Sequence, residues 1–149
     1  MTRHILLAED NATDAELISE AFKECRLDYR LQTVSTGEEA IRVLHLQDRN
    51  PDLFLLDLNL PKKGGLEVLH EVRSDFRLAT IPVIILTNSQ SDEDILQAYG
   101  EGCNAYVRKP LGFDELVAAI QSLEGFWFET ATLPNTPDVC RCTRFPSKP

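Results

Sequence analysis

The amino-acid sequence predicts an α/β protein built on one five-stranded parallel sheet, doubly wound, with helices on both faces. Short apolar runs alternate with five stretches in which apolar residues recur every three or four positions. The clearest run is Leu53-Phe54-Leu55-Leu56, with asparagine and proline on both sides and two glycines after it. Such continuous apolar runs are typical of strands buried on both faces in helix-covered parallel sheets. Their alternation with helices predicts right-handed crossovers on both sides of the sheet.

Each predicted strand is a short apolar run that leads into polar residues. The runs cover residues 5–8, 31–34, 53–57, 82–87 and 105–107, and the second is the weakest because polar residues interrupt it. The length of 149 residues fits one domain with a sizeable core. The chain has only five strand–helix repeats and lacks Gly-x-Gly-x-x-Gly after the first strand. A flavodoxin-like strand order is therefore predicted over the longer dinucleotide-binding order.

The helices follow from apolar periodicity and from capping residues. They are predicted over residues 12–25, 37–44, 66–76, 92–99 and 114–128. Asn11 and Thr36 stand just before the first two, where short polar side chains cap helix amino termini. The apolar face of the third helix reaches Phe76, and that of the fourth contains Leu96 and Tyr99. We expect these faces to pack on the sheet.

Composition and charge argue against several classes of function. The net charge of −9 argues against a nucleic-acid-binding surface, which needs clustered lysine and arginine. No apolar run is long enough to cross a bilayer or to form a signal-peptide core, so we expect a cytoplasmic protein with no membrane partner. Cys25 and Cys103 are predicted to be small buried apolar residues. Cys140 and Cys142 could not form a zinc site without two more ligands.

Chemically active side chains recur where the predicted strands end. Glu9 and Asp10 follow the first strand, Asp57 and Thr87 end the third and fourth, and Lys109 follows the fifth. In open parallel sheets, ligands bind at the carboxyl ends of the strands. Three carboxylates can hold a hard divalent cation such as Mg²⁺, and a lysine with a hydroxyl can bind an anion. A phosphoryl group on Asp57 would meet both, which is what phosphoryl transfer requires.

This combination resembles the receiver domain of two-component response regulators. The resemblance covers about residues 3–124 and rests on the pair Glu9-Asp10, on Asp57 followed by Leu60-Pro61 and Gly64-Gly65, on Thr87, and on Lys109-Pro110. It implies a single-domain, non-enzymatic member of a phosphorelay. Such a protein accepts a phosphoryl group from a sensor histidine kinase, assists its own Mg²⁺-dependent phosphotransfer and dephosphorylation, and signals by protein contact.

The same resemblance implies the roles of the metal-binding residues. Asp57 would be the phosphoacceptor. Asp10, Asp57 and the main-chain carbonyl of Asn59 would bind Mg²⁺, with Glu9 acting through water. Glutamate in place of aspartate at position 9 is a common variant in the family.

The resemblance also implies a switch. Lys109 and Thr87 would contact the phosphoryl oxygens, and Tyr106 would change rotamer when the Thr87 hydroxyl is drawn to the phosphate. Asn59 and Ser89 match positions that tune the rate of dephosphorylation.

A second resemblance concerns the end of the last helix. Phe126-Trp127-Phe128, followed by Leu133 and Pro134, is similar to the ending of stand-alone receivers that serve cyanobacterial and bacterial phytochrome kinases and dimerise there. Successive helical residues point about 100° apart, so at least one of these aromatics should be exposed or covered by a partner. We therefore expect a receiver domain over residues 1–125, a dimerising extension over 126–134 and an irregular, proline-rich tail over 135–149.

Two other classes of protein remain as alternatives. A hydrolase of the haloacid dehalogenase type also places an aspartate nucleophile at a strand end, but it needs a second aspartate two positions later as general acid. Asn59 occupies that position and cannot give a proton. A scaffold that uses the receiver fold without phosphorylation would lack the acid pair or Lys109, and both are present.

Overall fold

A computed structural model describes residues 2–134 of the chain. Its five strands form one parallel sheet in the order β2-β1-β3-β4-β5, which confirms the flavodoxin-like order. The strands are β1 (Arg3–Ala8), β2 (Tyr29–Val34), β3 (Leu53–Leu56), β4 (Val83–Thr87) and β5 (Ala105–Arg108). The helices are α1 (Ala12–Lys23), α2 (Gly37–Leu46), α3 (Gly65–Ser74), α4 (Asp92–Gly100) and α5 (Phe113–Glu124).

The two faces of the sheet bury separate apolar clusters, as alternation along a strand requires. On β3, Phe54 and Leu56 face the cluster beneath α2, α3 and α4, whereas Leu53 and Leu55 face the cluster beneath α1 and α5. All four are fully buried. Burial on both faces explains why the run is continuously apolar, and it fixes β3 as a central strand.

The apolar faces predicted for the third and fourth helices were partly wrong. The third helix ends at Ser74, so that Phe76 lies beyond it with half of its surface exposed. On α4, Leu96 and Tyr99 are exposed and Ala98 is the buried residue. The reason is that α4 covers an edge of the sheet, where its main packing partners are β5 and α3. Tyr99 instead accepts a hydrogen bond from the main-chain N–H of Tyr106 at 3.2 Å.

The last helix changes its hydrogen-bonding pattern before the aromatic segment. From Gly125 to Thr130 the backbone forms a π-helix, which closes with a bond from the N–H of Ala131 to the carbonyl of Phe126. Trp127 and Phe128 both pack against the α1–α5 side of the core, and Phe126 is half exposed. Phe126 is therefore the exposed aromatic, and at least one was predicted, whereas Trp127 and Phe128 both lie on the core side.

The aromatic segment leads to the amino ends of the strands. The Phe128 ring lies 5.2 Å from the guanidinium of Arg3, which begins β1. Leu133 lines a small groove with Pro51 and Pro82, which precede β3 and β4.

No helix among residues 2–134 is long and apolar enough to cross a membrane. The predicted tail, with Cys140 and Cys142, lies outside the described residues, whereas Cys103 is buried and Cys25 half-buried, both as free thiols.

Gly65 permits α3 to begin directly against the end of β3. A Cβ atom at this position would lie 2.3 Å from the carbonyl oxygen of Asp57 and 2.6 Å from the Cα atom of Leu58. Both neighbours are backbone atoms of the strand end, so that they cannot move aside without displacing Asp57. The absence of a side chain at residue 65 therefore helps to fix the position of this carboxylate.

We predict that Gly65→Ala lowers the free energy of unfolding by about 1–3 kcal/mol or more, because the added methyl group overpacks the backbone. Urea unfolding followed by circular dichroism measures the change. Gly100→Ala is the matched control, since no atom lies within 4 Å of its Cβ position in α4. The control should be neutral or stabilising by roughly 0.5–1 kcal/mol. Equal stability changes in the two variants would contradict the argument.

Candidate functional site

Asp57 stands at the centre of the carboxyl edge of the sheet, directly after β3. It is 5% exposed, and its main-chain N–H donates to the carbonyl of Ala8 at the end of β1. Its Oδ1 accepts hydrogen bonds from the Thr87 hydroxyl at 2.9 Å and from the N–H of Asn59 at 3.0 Å. Its Oδ2 accepts from Lys109 Nζ at 2.9 Å. Both carboxylate oxygens are thus held in place by donors.

The predicted acid pair lies beside Asp57 because β1 and β3 are neighbours in the sheet. Glu9 is buried and its main-chain N–H donates to Val34 at the end of β2, whereas Asp10 is exposed. Carboxylate oxygens of Glu9, Asp10 and Asp57 lie within 4.8 Å of one another. Hard divalent cations prefer such oxygen ligands, so these residues could hold one.

Lys109 joins the site from the edge strand. Its main-chain N–H donates to the carbonyl of Thr87 at 2.8 Å, which fixes the start of the loop after β5. Its ammonium lies 2.5 Å from Glu9 Oε1 and 2.9 Å from both Asp57 Oδ2 and Asp14 Oδ2. Burial would lower the pKa of this lysine, but the contacts with Glu9, Asp57 and Asp14 outweigh burial and raise it. Lys109 therefore stays charged.

Glu9 has a buried carboxyl group with a strongly raised pKa. Burial raises its pKa to about 7; the charge of Asp57 acts in the same direction, and Lys109 opposes both. Its Oε2 accepts from the N–H of Asn11 at 3.2 Å. Its Oε1 has only the ion pair with Lys109 and no hydrogen bond of good geometry, which is rare for a buried oxygen in residues 2–134. A buried oxygen in this state suits a cation ligand.

The predicted switch residues lie next to the site. Thr87 is fully buried and already donates to Asp57. Tyr106 is partly buried against the α2–α4 side of the core, and its hydroxyl donates to the carbonyl of Ser89 at 3.1 Å. The hydroxyl of Ser89 in turn donates to Asp94 at 2.6 Å. The structure thus contains the arrangement in which Thr87 engages Asp57 and Tyr106 is turned inward.

Asp14 is the site residue that the sequence reasoning did not identify. In the sequence it is an acid in the first turn of a helix, which is an ordinary capping feature. Its contact with Lys109 spans 95 positions and depends on the packing of α1 beside α5. Among the predicted extension residues, Phe128 and Leu133 lie at the amino ends of the strands, away from the site. Phe126 packs on Trp127, which lies against the cluster beneath α1 and α5.

Comparisons with known proteins agree with this geometry. Residues 5–121 match the model of the response regulator receiver domain. The chain is 39% identical to the response regulator Rcp1 of Synechocystis over 135 residues, which cover 87% of this chain and 92% of Rcp1. The crystal structure of the Mn²⁺-bound form of Rcp1 superposes with a TM-score of 0.82 at 38% identity, covering 89% of this chain and 99% of that one.

Two further solved structures are similar along most of the chain. The phosphorylated cyanobacterial phytochrome response regulator RcpA has a TM-score of 0.86 and 40% identity, and the match covers 91% of this chain and all of RcpA. The bacteriophytochrome response regulator RtBRR has a TM-score of 0.72 and 42% identity, covering 92% of this chain and 85% of that one. Fold, acidic strand-end site and comparisons together define a phosphoryl-accepting receiver domain, a signalling module and not a classical enzyme. The chain belongs to the response regulator receiver family.

We predict that without divalent cations the protein loses stability as pH rises from about 4.5 to about 7. Glu9 binds its proton more tightly in the folded state, with a pKa of about 7 against 4.5 unfolded, so deprotonation favours unfolding across this window. The loss attributable to Glu9 should be on the order of 3 kcal/mol. Glu9→Gln should remove this component from unfolding curves measured at several pH values, whereas Glu93→Gln, an exposed acid on α4, should not. An unchanged pH dependence in Glu9→Gln would contradict the assignment.

Proposed function

We propose that Asp57 accepts the phosphoryl group, delivered by a sensor histidine kinase, and that the phosphorylated protein signals by contact with a partner. The observation that carries the proposal is the set of donors on one buried carboxylate. Lys109, the Thr87 hydroxyl and the Asn59 N–H all point at Asp57, beside the acid pair. A carboxylate held in this way is positioned as a nucleophile.

The chemistry requires positioning and charge neutralisation. An Asp57 oxygen forms a bond to phosphorus while the bond between phosphorus and the donor's histidine nitrogen breaks, and the electron pair leaves with that nitrogen. Lys109 and Thr87, which already donate to the carboxylate, are positioned to donate to the phosphoryl oxygens once phosphorus is bonded to Asp57. Little else is asked of the protein in phosphoryl transfer. The same site would assist hydrolysis of the acyl phosphate: water attacks phosphorus, the bond between phosphorus and the Asp57 oxygen breaks, and inorganic phosphate leaves. Asn59 and Ser89 would tune the rate of this step.

We propose Mg²⁺ as the cofactor. Asp10, Asp57 and the main-chain carbonyl of Asn59 would hold the ion, with Glu9 acting through water. When bound, Mg²⁺ neutralises negative charge on the transferring phosphoryl group. The proposal is supported by the three clustered carboxylates and by Oε1 of Glu9, which has no hydrogen bond of good geometry.

The output of the domain would follow from Thr87 and Tyr106. A phosphoryl group on Asp57 offers Thr87 more acceptors than the free carboxylate does, and so stabilises the arrangement in which Tyr106 is inward. Only a differential contact of this kind can bias two conformations. The hydrogen bond from the Tyr106 hydroxyl to the carbonyl of Ser89 links that arrangement to the loop before α4. On α4, the exposed Leu96 and Tyr99 offer a surface for a partner.

We predict that acetyl phosphate with Mg²⁺ adds one phosphoryl group to the protein and that Asp57→Asn abolishes the adduct, because the neutral amide is a far weaker nucleophile than the carboxylate. Intact-mass measurement scores both proteins. Asp92→Asn, which removes an exposed acid on α4, is the control and should label like the parent. An undiminished adduct on Asp57→Asn would sink the assignment.

The kinase is proposed to be a phytochrome histidine kinase in the cytoplasm, since the chain is similar to phytochrome response regulators over nearly all of its described length. A phosphorylated phytochrome kinase should therefore transfer to Asp57 faster than an unrelated phosphorylated histidine kinase does. Equal rates from the two donors would remove the phytochrome link and leave the phosphoacceptor assignment intact.

We also propose a homodimer formed by the extension, residues 126–134, beside a receiver domain over residues 1–125. Support comes from Phe126, which is half exposed and packs edge-to-face on Trp127 with ring centroids 5.1 Å apart. Trp127 and Phe128 anchor the segment on the core, and Leu133 continues it across the sheet edge. A two-fold axis would bring the same patch from each subunit together.

We predict that Phe126→Asp weakens the dimer by roughly a hundredfold or more, since burial of each phenyl ring is worth about 1.5–3 kcal/mol and the ring occurs twice in a symmetric interface. Light scattering over a dilution series from tens of micromolar measures the change. Leu46→Asp, a substitution at an even more exposed apolar residue on α2, should leave the dimer unchanged. A monomeric parent protein would refute the interface outright.

A further inference from the structure

We propose that Asp14 is a positioning residue that holds the Lys109 ammonium for phosphoryl transfer at Asp57. The inference rests on the function proposed above and concerns a residue outside the motif set of the resemblance. Asp14 lies in the first turn of α1, and its Oδ2 accepts a hydrogen bond from Lys109 Nζ at 2.9 Å. It thus acts on the reaction through the lysine and not on the phosphoryl group itself.

The loop between β1 and α1 holds Asp14 rigidly. The side chain of Asn11 caps α1 by accepting the main-chain N–H of Asp14 at 2.9 Å. The N–H of Asn11 donates to Glu9 Oε2, and Glu9 Oε1 lies against the Lys109 ammonium. Glu9, Asn11, Asp14 and Lys109 therefore form a closed ring of contacts. The ring fixes the carboxylate of Asp14 relative to the acid pair.

Asp14 differs from the other two partners of the lysine. The Lys109 ammonium lies within 2.9 Å of oxygens of three carboxylates, those of Glu9, Asp57 and Asp14. Glu9 belongs to the acid cluster that could hold a cation, and the carboxylate of Asp57 becomes an acyl phosphate during the reaction. Both contacts must therefore change as the site works. Asp14 has neither task, so that it is the partner able to keep the lysine in place throughout.

A cavity beside Lys109 offers its side chain an alternative position. Lys109 and Asp14 line a cavity of about 170 Å³ together with Leu17, Leu111 and Leu116. A lysine has a flexible four-carbon stem and loses much conformational freedom when it is fixed. Once Glu9 and Asp57 release the ammonium, an unanchored lysine can turn into this cavity. The contact with Asp14 restricts that movement.

The first test compares labelling by acetyl phosphate in the presence of Mg²⁺. Asp14→Asn and Asp14→Ala should lower the maximal rate, the first by about tenfold and the second by more, as for loss of one hydrogen bond between charged groups. The half-saturating donor concentration should change little, since binding of the donor is not affected. Glu16→Gln makes the same charge change on the exposed side of α1 and should label like the parent.

The second test asks whether Asp14 acts through Lys109. Affinity for beryllofluoride, which forms an analogue of the phosphoryl group on a carboxylate, is measured by calorimetry with Mg²⁺ for the parent, Asp14→Asn, Lys109→Met and the double variant. This binding readout also scores variants that label too slowly to follow. Asp14→Asn should weaken binding in the parent and change it by less than about twofold once the lysine is gone, because coupled residues are not additive.

Three outcomes are distinguished. If the parent protein is not labelled on Asp57, the proposed function fails. If the parent is labelled and Asp14→Asn matches it in rate and in beryllofluoride affinity, Asp14 has no positioning role. If the substitution weakens binding equally with and without Lys109, Asp14 supports the helix and not the lysine, and the inference is overturned.

Discussion

The site depends on the ion pairs made by the ammonium of Lys109. The ammonium lies between the carboxylates of Glu9, Asp14 and Asp57, two of which are buried. Buried carboxylates of like charge repel each other and lose their hydration, so without a cation such a cluster destabilises the fold. The pKa of Glu9, raised to about 7, indicates that one lysine offsets only part of the cost of burying these negative charges. A divalent cation would neutralise the negative charge that Lys109 leaves uncompensated.

The sheet order brings these groups together. Glu9 and Asp57 come from the adjacent strands β1 and β3, Thr87 from β4 and Lys109 from the edge strand β5. Side chains along each strand alternate between the two faces of the sheet. A shift of the strand register by one residue would therefore move each side chain to the other cluster and displace every side chain at the strand ends. The apolar core is therefore also what sets the distances among the charged groups.

The sequence predicted the features that depend on local patterns. Strands end where apolar runs stop, so the sequence alone assigns Glu9, Asp57 and Lys109 to the carboxyl ends of the strands. Asp14 could not, because a first-turn acid is ordinary and its partner is distant in the chain. The exposure of Leu96 and Tyr99 was missed because periodicity identifies an apolar face but not whether a neighbour covers it. The π-helix after Gly125 likewise changes which aromatics share a face, with no clear signal in the sequence.

The carboxylates serve two cations that cannot both use them in the same way. The Lys109 ammonium pairs with Glu9 and Asp57, and both belong to the three-carboxylate cluster proposed to hold a divalent ion, Asp57 directly and Glu9 through water. In the proposed reaction, entry of an ion would weaken the pairing of the lysine with these carboxylates, and a phosphoryl group on Asp57 would draw the ammonium toward its oxygens. The charge of the site stays balanced through these exchanges only if the lysine remains nearby. A partly exposed carboxylate outside the metal cluster is well suited to keep it there, because its own charge remains partly hydrated in every state.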